Sequence, residues 1–281
     1  MGSLHQTKGA DWEHLASDYT KFTNQTSRGT IGMLLERGNA LYPFSQAEGI
    51  LDNGCGSGPA MSRLIEDYGS ALPSTCSLAC ADFSEAMIRQ VENIREQAAS
   101  DSPWKRVQTK VQNAMDLNEI AEGSVTHITA GWVYFMTPDP LKCLSESRRV
   151  LKEDGVLALS SWEDSQWMQL TSAIVKVRPD KKLPQIPAEW RSDSAVKAEM
   201  QKAGFRDCES HRVRVQMKFE THEGFVDFAL TKMPHITHMT SDMSAEELAS
   251  FRALMVEEMK GMCPDAPGSL EGMSLVGVGR K

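Results

Sequence analysis

Three glycines at alternate positions behind an acid constrain this chain more than any other feature in it. In Ile50-Leu51-Asp52-Asn53-Gly54-Cys55-Gly56-Ser57-Gly58-Pro59 an apolar pair runs into Asp52, glycines follow at 54, 56 and 58, and Pro59 opens an amphipathic run. The order predicts a strand that turns sharply into a helix, with backbone N–H groups free to approach a ligand where no Cβ intervenes. It reads as a nucleotide-binding loop. A dinucleotide-type Gly-x-Gly-x-x-Gly frame needs glycine at 59 or 61, where the chain has Pro59 and Met61. A Walker loop needs Gly-Lys-Ser/Thr, which occurs nowhere in the chain.

The rest of the chain supports an α/β reading. Ahead of the loop, Trp12, Leu15, Tyr19 and Phe22, then Ile31, Leu34 and Leu35, keep helical spacing on either side of a polar patch at 24–27. They predict two helices, placed where Tyr19, Phe22 and Arg28 can reach over the loop. A helix is expected from Pro59 to Gly69, then a strand Ser77 to Ala81 stops at Asp82, 24 residues past Gly58. An acid at that point of a βαβ unit can accept both hydroxyls of a ribose, and the competing role is a helix N-cap with Glu85 as its box partner. A helix from Ser84 to about Ala98, strands Val107 to Val111 and Val125 to Ala130, a helix Asp139 to Leu151 with Leu141, Leu144 and Leu151 inward, and a strand Val156 to Ser161 complete the alternation. That rhythm is the signature of a doubly wound, mostly parallel sheet. Asn113 offers a carbonyl and an amide to an adenine edge, with Ala114 and Met115 beside it. Trp132, just past the fourth strand, faces the same crevice, and His127 reads as a satisfied core histidine.

Beyond a proline-bearing connection the rhythm breaks. After an alternating strand Val213 to Phe219, residues 220–265 form a helix-prone, Met-rich insertion holding Met233, Met239, Met243, Met255, Met259 and Met262, before a last strand Ser274 to Gly279. The insertion reads as a substrate lid, although a Met stripe at helical spacing is also what ordinary core looks like. The expected organisation is one domain over 1–281, with an N-terminal helical cap (1–45), a cofactor-binding core (46–219 and 266–281) and the lid (220–265).

Composition sets limits. The formal charge of −8 and the short basic stretches argue against nucleic acid as partner. No segment approaches the ~18 apolar residues of a membrane span and no apolar run follows the N-terminus, so a cytoplasmic protein, monomer or homodimer, with no membrane partner, is expected. The six cysteines, in no metal spacing, are expected to be small buried hydrophobes, and no metal is expected.

Three segments carry a resemblance: Leu51 to Gly58; Cys80-Ala81-Asp82-Phe83-Ser84-Glu85-Ala86-Met87; and Arg149-Val150-Leu151-Lys152-Glu153-Asp154-Gly155-Val156 through Trp162. In order and spacing they are similar to motifs of the class I S-adenosylmethionine-dependent methyltransferases, most like the ubiquinone/menaquinone-biosynthesis-type branch and its fungal secondary-metabolite enzymes. The resemblance implies a Rossmann-like seven-stranded sheet whose last pair is antiparallel. It implies S-adenosyl-L-methionine as cofactor and S-adenosyl-L-homocysteine as product. The methionine part would lie on Asp52, Gly54, Gly56 and Gly58, the ribose on Asp82, and the adenine by Asn113, Ala114 and Met115, with Phe83, Met87, Ala130 and Tyr19 completing the site. This chain departs from the family in having Asn113 and Thr126 where aspartates are common.

Methyl transfer from a sulfonium is an in-line displacement, so positioning in a water-poor site can supply most of the rate and no triad is required. The acceptor expected is the O, S or N atom of a small, fairly apolar metabolite, held by Phe22, Trp132 and Met233. For a hydroxyl acceptor, His235 and His238 are the candidate bases, and their i, i+3 spacing is a weak alternative for a metal pair. Two rivals remain open: a noncatalytic or repurposed cofactor binder, either a regulator or a pericyclase, and a macromolecule methyltransferase.

Overall fold

A computed structural model describes the backbone of residues 16–183 and 185–281, with side chains from residue 26 onward apart from Pro184 and Pro234. Seven strands form one sheet: β1 (Gly49–Asn53), β2 (Ser77–Asp82), β3 (Val107–Val111), β4 (Val125–Ala130), β5 (Leu151–Ser165), β6 (Arg206–Phe219) and β7 (Gly268–Arg280). Their order is β3-β2-β1-β4-β5-β7-β6. The first five are parallel, and β7 runs antiparallel to both of its neighbours. All five residues of β1 and all six of β4 are buried, as central parallel strands covered on both faces require. The strand order reverses between β1 and β4, so the ligand crevice lies outside their carboxyl ends.

The helices are α1 (Ala16–Leu41), α2 (Pro59–Tyr68), α3 (Glu85–Gln97), α4 (Pro140–Val150), α5 (Asp193–Lys202), α6 (His222–Lys232), α7 (Pro234–Thr240) and α8 (Ala245–Met262), with short helical turns at 166–177 and 188–190. Where two N-terminal helices are expected, α1 is a single helix of 26 residues. The described end of the polar patch that suggested a break is buried instead. Thr26, Ser27 and Thr30 are buried, and the Thr26 hydroxyl donates to the Gln216 carbonyl of β6 at 3.2 Å. Trp12 and Leu15 lie outside the described residues, and Tyr19 and Phe22 lie on α1 with side chains outside them.

In α4, Asp139 caps the N-terminus through the Lys142 N–H, and Cys143, Leu144, Ser147 and Val150 face inward. Leu141, expected inward, is 51% exposed, because the 3.6-residue period that buries 143, 144, 147 and 150 turns 141 to solvent. The helix ends at Val150, and Leu151 and the Glu153-Asp154-Gly155 run already belong to β5.

The last three strands are longer than their apolar segments. Pairing runs from Arg206↔Arg280 to Phe219↔Gly268 between β6 and β7, and from Val156↔Arg280 to Ser165↔Gly272 between β5 and β7. On that extended ribbon sits the insertion. Phe225, Ile236, Phe251, Met255 and Met259 share one core with Phe219 and Leu270 of the strands and with Trp167, Leu170 and Ile174 of the turns after β5. Met233 and Met239 are buried in the same core, so the Met stripe is chiefly the insertion's own interior. Cys55, Cys76, Cys80, Cys143 and Cys208 are buried free thiols, as expected, and Cys263 is half-buried. No described helix is long and apolar enough to cross a membrane.

Candidate active site

The loop after β1 is clamped before it reaches α2. Gly54 and Cys55 both donate their N–H groups to the Ala81 carbonyl at the end of β2, at 2.7 and 2.9 Å. Gly54, Gly56 and Gly58 have φ of 74°, 53° and 84°, the left-handed region that disfavours side chains. Their surroundings differ. A Cβ at Gly54 would strike Val133, and one at Gly58 would come within 3.2 Å of Val91, whereas one at Gly56 would meet nothing within 4 Å. Gly54 and Gly58 thus serve packing, and Gly56 alone faces open space. Gly131, just past β4, faces open space as well.

Two acids stand at this loop. Asp52 is 1% exposed; its Oδ1 accepts from Thr129 Oγ1 at 2.8 Å, and its buried Oδ2 has no partner among the described residues. Burial pushes its carboxyl up to about 7; the Thr129 hydroxyl opposes this, the Asp82 charge adds to it, and the backbone N–H of Met61 opposes it more weakly. Asp82 is also buried and raised, chiefly by desolvation, against which the backbone N–H groups of Ser84, Gly56 and Phe83 work. Its Oδ2 accepts from Gly56 N at 2.8 Å and its Oδ1 from Ser84 N at 3.0 Å. It does not cap α3. Ser84 does so, accepting from Met87 N at 3.4 Å. Neither acid has an ion-pair partner among the described residues, so this end of the site favours a cation.

Along the ends of β2 and β3, Phe83 is 44% exposed, an unusual position for an aromatic ring, while Met87 is buried beside Ala86. Asn113 is exposed, but its side-chain carbonyl already accepts from Met115 N at 2.9 Å, which leaves its amide as the free donor. Ala114 is buried, and Met115 is half-buried.

On the opposite side Ala130 is buried, and Trp132 holds φ at 56°, a strained value for a bulky residue. Its backbone N–H donates to Ser160 Oγ at 3.0 Å and its Nε1 to Ser274 Oγ at 3.2 Å, so β5 and β7 fix it. The ring stacks on Trp162 (centroids 5.2 Å, interplanar 18°), and Trp162 meets Trp167 edge-on (5.2 Å, 85°). This three-ring file leads from the end of β4 to the insertion core. Trp162 and Trp167 were not among the sequence candidates, and neither was Thr129 as the partner of Asp52. The tryptophans could have been found by noting that β5 must end beside β4.

Of the candidate bases, His235 sits at the start of α7 with a buried Nε2 that has no partner among the described residues, and burial lowers it to about 4. His238 is exposed. His127 is a core residue: Nδ1 is 2.9 Å from Thr126 Oγ1, Nε2 is 2.8 Å from the Tyr42 carbonyl, and burial lowers it to about 4. No described group of three His, Cys, Asp or Glu residues could hold a metal ion.

Residues 51–159 match the family model described as a methyltransferase domain. The chain is also 39% identical over 275 residues to methyltransferase ucsB of an Acremonium species, covering 97% of this chain and 95% of that protein. It belongs to the class I S-adenosylmethionine-dependent methyltransferases. Methyltransferase tpcH of Aspergillus fumigatus is 26% identical over 245 residues, 83% of this chain and 84% of that protein. In fold it resembles a SAM-dependent methyltransferase of Aquifex aeolicus, with TM-score 0.50, 18% identity, and coverage of 75% of this chain and 94% of that one. The cofactor of this family, S-adenosyl-L-methionine, carries an ammonium, a sulfonium and an adenosine. A buried carboxylate oxygen of Asp52 without a hydrogen-bond partner among the described residues, a second buried acid and open space over Gly56 fit such a molecule.

Proposed function

We propose that this methyltransferase transfers a methyl group to an O, S or N atom of a small, fairly apolar secondary metabolite. The observation that carries the reading is the juxtaposition at the ends of β1 and β4. The cation-seeking pair Asp52 and Asp82 and the open side of Gly56 lie on one flank, and the fixed Trp132–Trp162–Trp167 file on the other. In this reading Asp52 holds the cofactor's ammonium, Asp82 its ribose hydroxyls, and Phe83, Met87, Asn113, Ala114, Met115 and Ala130 surround the adenosine. The bound cofactor supplies an electrophilic methyl group, and the protein supplies alignment and exclusion of water. Trp132 borders the acceptor. The fungal relatives, similar over most of their length, support a secondary metabolite as substrate.

His235 is the better of the two candidate bases for a hydroxyl acceptor. It is half-buried and neutral at pH 7, and its buried Nε2 has no partner among the described residues. The segment 220–265 acts as a fixed wall of the acceptor site, since ion pairs Lys176–Glu258, Arg178–Glu247 and Lys181–Asp242 tie it to 166–181. The test is a panel of thiol, phenol, amine and carboxylate acceptors with methyl-labelled cofactor. Label transfer to a small acceptor with release of S-adenosylhomocysteine is expected. Label found only in protein or RNA, or none released with any acceptor class, would overturn the reading.

A further inference from the structure

The connection from β3 to β4 has no regular element, and β3 is an edge strand, so residues 113–117 have no outer neighbour to fix them. They are nevertheless gripped from α4. The Leu117 N–H donates to Glu146 Oε2 at 2.9 Å, and the Leu117 carbonyl accepts from Arg149 Nη2 at 2.8 Å, so both backbone groups of this residue, and with them the two peptide units that flank it, are held. Arg149 Nη1 reaches the Ile120 carbonyl at 3.1 Å. The two side chains are locked to one another by Nε to Oε1 at 3.0 Å and Nη2 to Oε2 at 2.8 Å, a bidentate fork that a lysine could not reproduce. Glu146 is 8% exposed, and the Arg149 hydrogen bond leads in holding its carboxyl below the usual carboxylate range. The grip is passed along the loop. Leu117 is fully buried, and the Asn113 carbonyl and side chain accept from Asp116 N and Met115 N, both at 2.9 Å.

We propose that Glu146 and Arg149 are a positioning pair: by fixing Leu117 they set the Asn113–Met115 turn, and hence cofactor affinity, without touching the cofactor themselves. The proposal rests on the reading that this turn borders the adenosine. A loop held by one such clamp moves as a unit when the clamp is lost, which weakens a ligand that needs the ordered form.

The experiment measures calorimetric affinity of the full chain for S-adenosylhomocysteine and for 5′-methylthioadenosine, which both carry the adenosine. Arg149→Lys keeps the charge and loses the fork, Glu146→Gln keeps an acceptor for Leu117 N–H, and Asn113→Ala tests the turn itself. Ile174→Ala in the insertion core is the control for general destabilisation. Arg149→Lys should weaken both ligands about tenfold and Glu146→Gln less, while Ile174→Ala lowers the melting temperature and leaves affinity unchanged. If Asn113→Ala weakens binding and both clamp variants bind like wild type, the pair is structural only and the proposal fails alone. If Asn113→Ala is also silent, the adenosine reading and the proposal fail together. A loss of affinity in Ile174→Ala equal to that in Arg149→Lys would overturn it too.

Discussion

Asp52→Asn removes a charge that the folded protein holds at a cost. Asp52 is 1% exposed, and its carboxyl is pushed up to about 7 from an ordinary 3.8. At about 1.4 kcal/mol per unit, ionising it in the folded chain costs at most about 4 kcal/mol. The sign follows from the raised value. The stability contributed by the protonated acid is fully present below pH 3.8 and is lost as pH rises to about 7. Asparagine keeps an oxygen for Thr129 but buries an amide without a partner, worth about 1–3 kcal/mol against it. The variant without ligand should therefore be about 1–3 kcal/mol more stable than wild type at pH 8, with the gain gone or reversed by about pH 4.5. Affinity for S-adenosylhomocysteine, which retains the ammonium, should fall by about 1.5–3 kcal/mol, the worth of a hydrogen bond to a charged group. Urea unfolding at the two pH values and calorimetry at pH 8 measure both. Equal destabilisation at both pH values, with affinity unchanged, would refute the assignment of Asp52 as a buried charge awaiting a cation.

Gly54→Ala should cost about 2–4 kcal/mol of stability, from the Val133 collision and the left-handed backbone together. Gly56→Ala should cost about 1–2 kcal/mol of stability and, by filling the open side, weaken cofactor binding more than Gly54→Ala does, as thermal melts with and without S-adenosylhomocysteine will report. With a hydroxyl acceptor His235→Gln should lower kcat about 100-fold or more at unchanged cofactor affinity, while His238→Ala stays near wild type. Because His235 lies near 4, its titration should not shape the rate between pH 6 and 8. Trp162→Ala, which removes the stack beneath Trp132, should raise the acceptor KM more than the cofactor KM, and the reverse split would argue against an acceptor wall.

The fold was legible wherever one local rule had one outcome. A glycine turn, a proline at a helix start and apolar segments alternating with amphipathic ones marked strands β1 to β5 and the helices between them. Legibility stopped where a residue's role depended on a partner remote in sequence. The 24–27 patch looked like a break because a polar residue such as Thr26 could not be known to meet β6. Leu141 looked inward because its apolar character outweighed its phase on the helix. The lengths of β5, β6 and β7 were hidden because strands that extend over one another, with charges on the free edge of β6, need not be continuously apolar.

The candidate site divides in the same way. By itself the sequence determined that a strand ends in Asp52 at a glycine loop and that a second acid, Asp82, ends the neighbouring strand. Both follow from local chemistry and from the spacing of a βαβ unit. Only the tertiary structure decided that Gly56 alone of the three glycines faces open space, that Asp52 keeps an orphaned oxygen, and that Trp132 is held by hydroxyls of β5 and β7 and stacked on Trp162. Those are facts about what surrounds a residue, and residues 26 to 142 positions apart in the chain supply the surroundings.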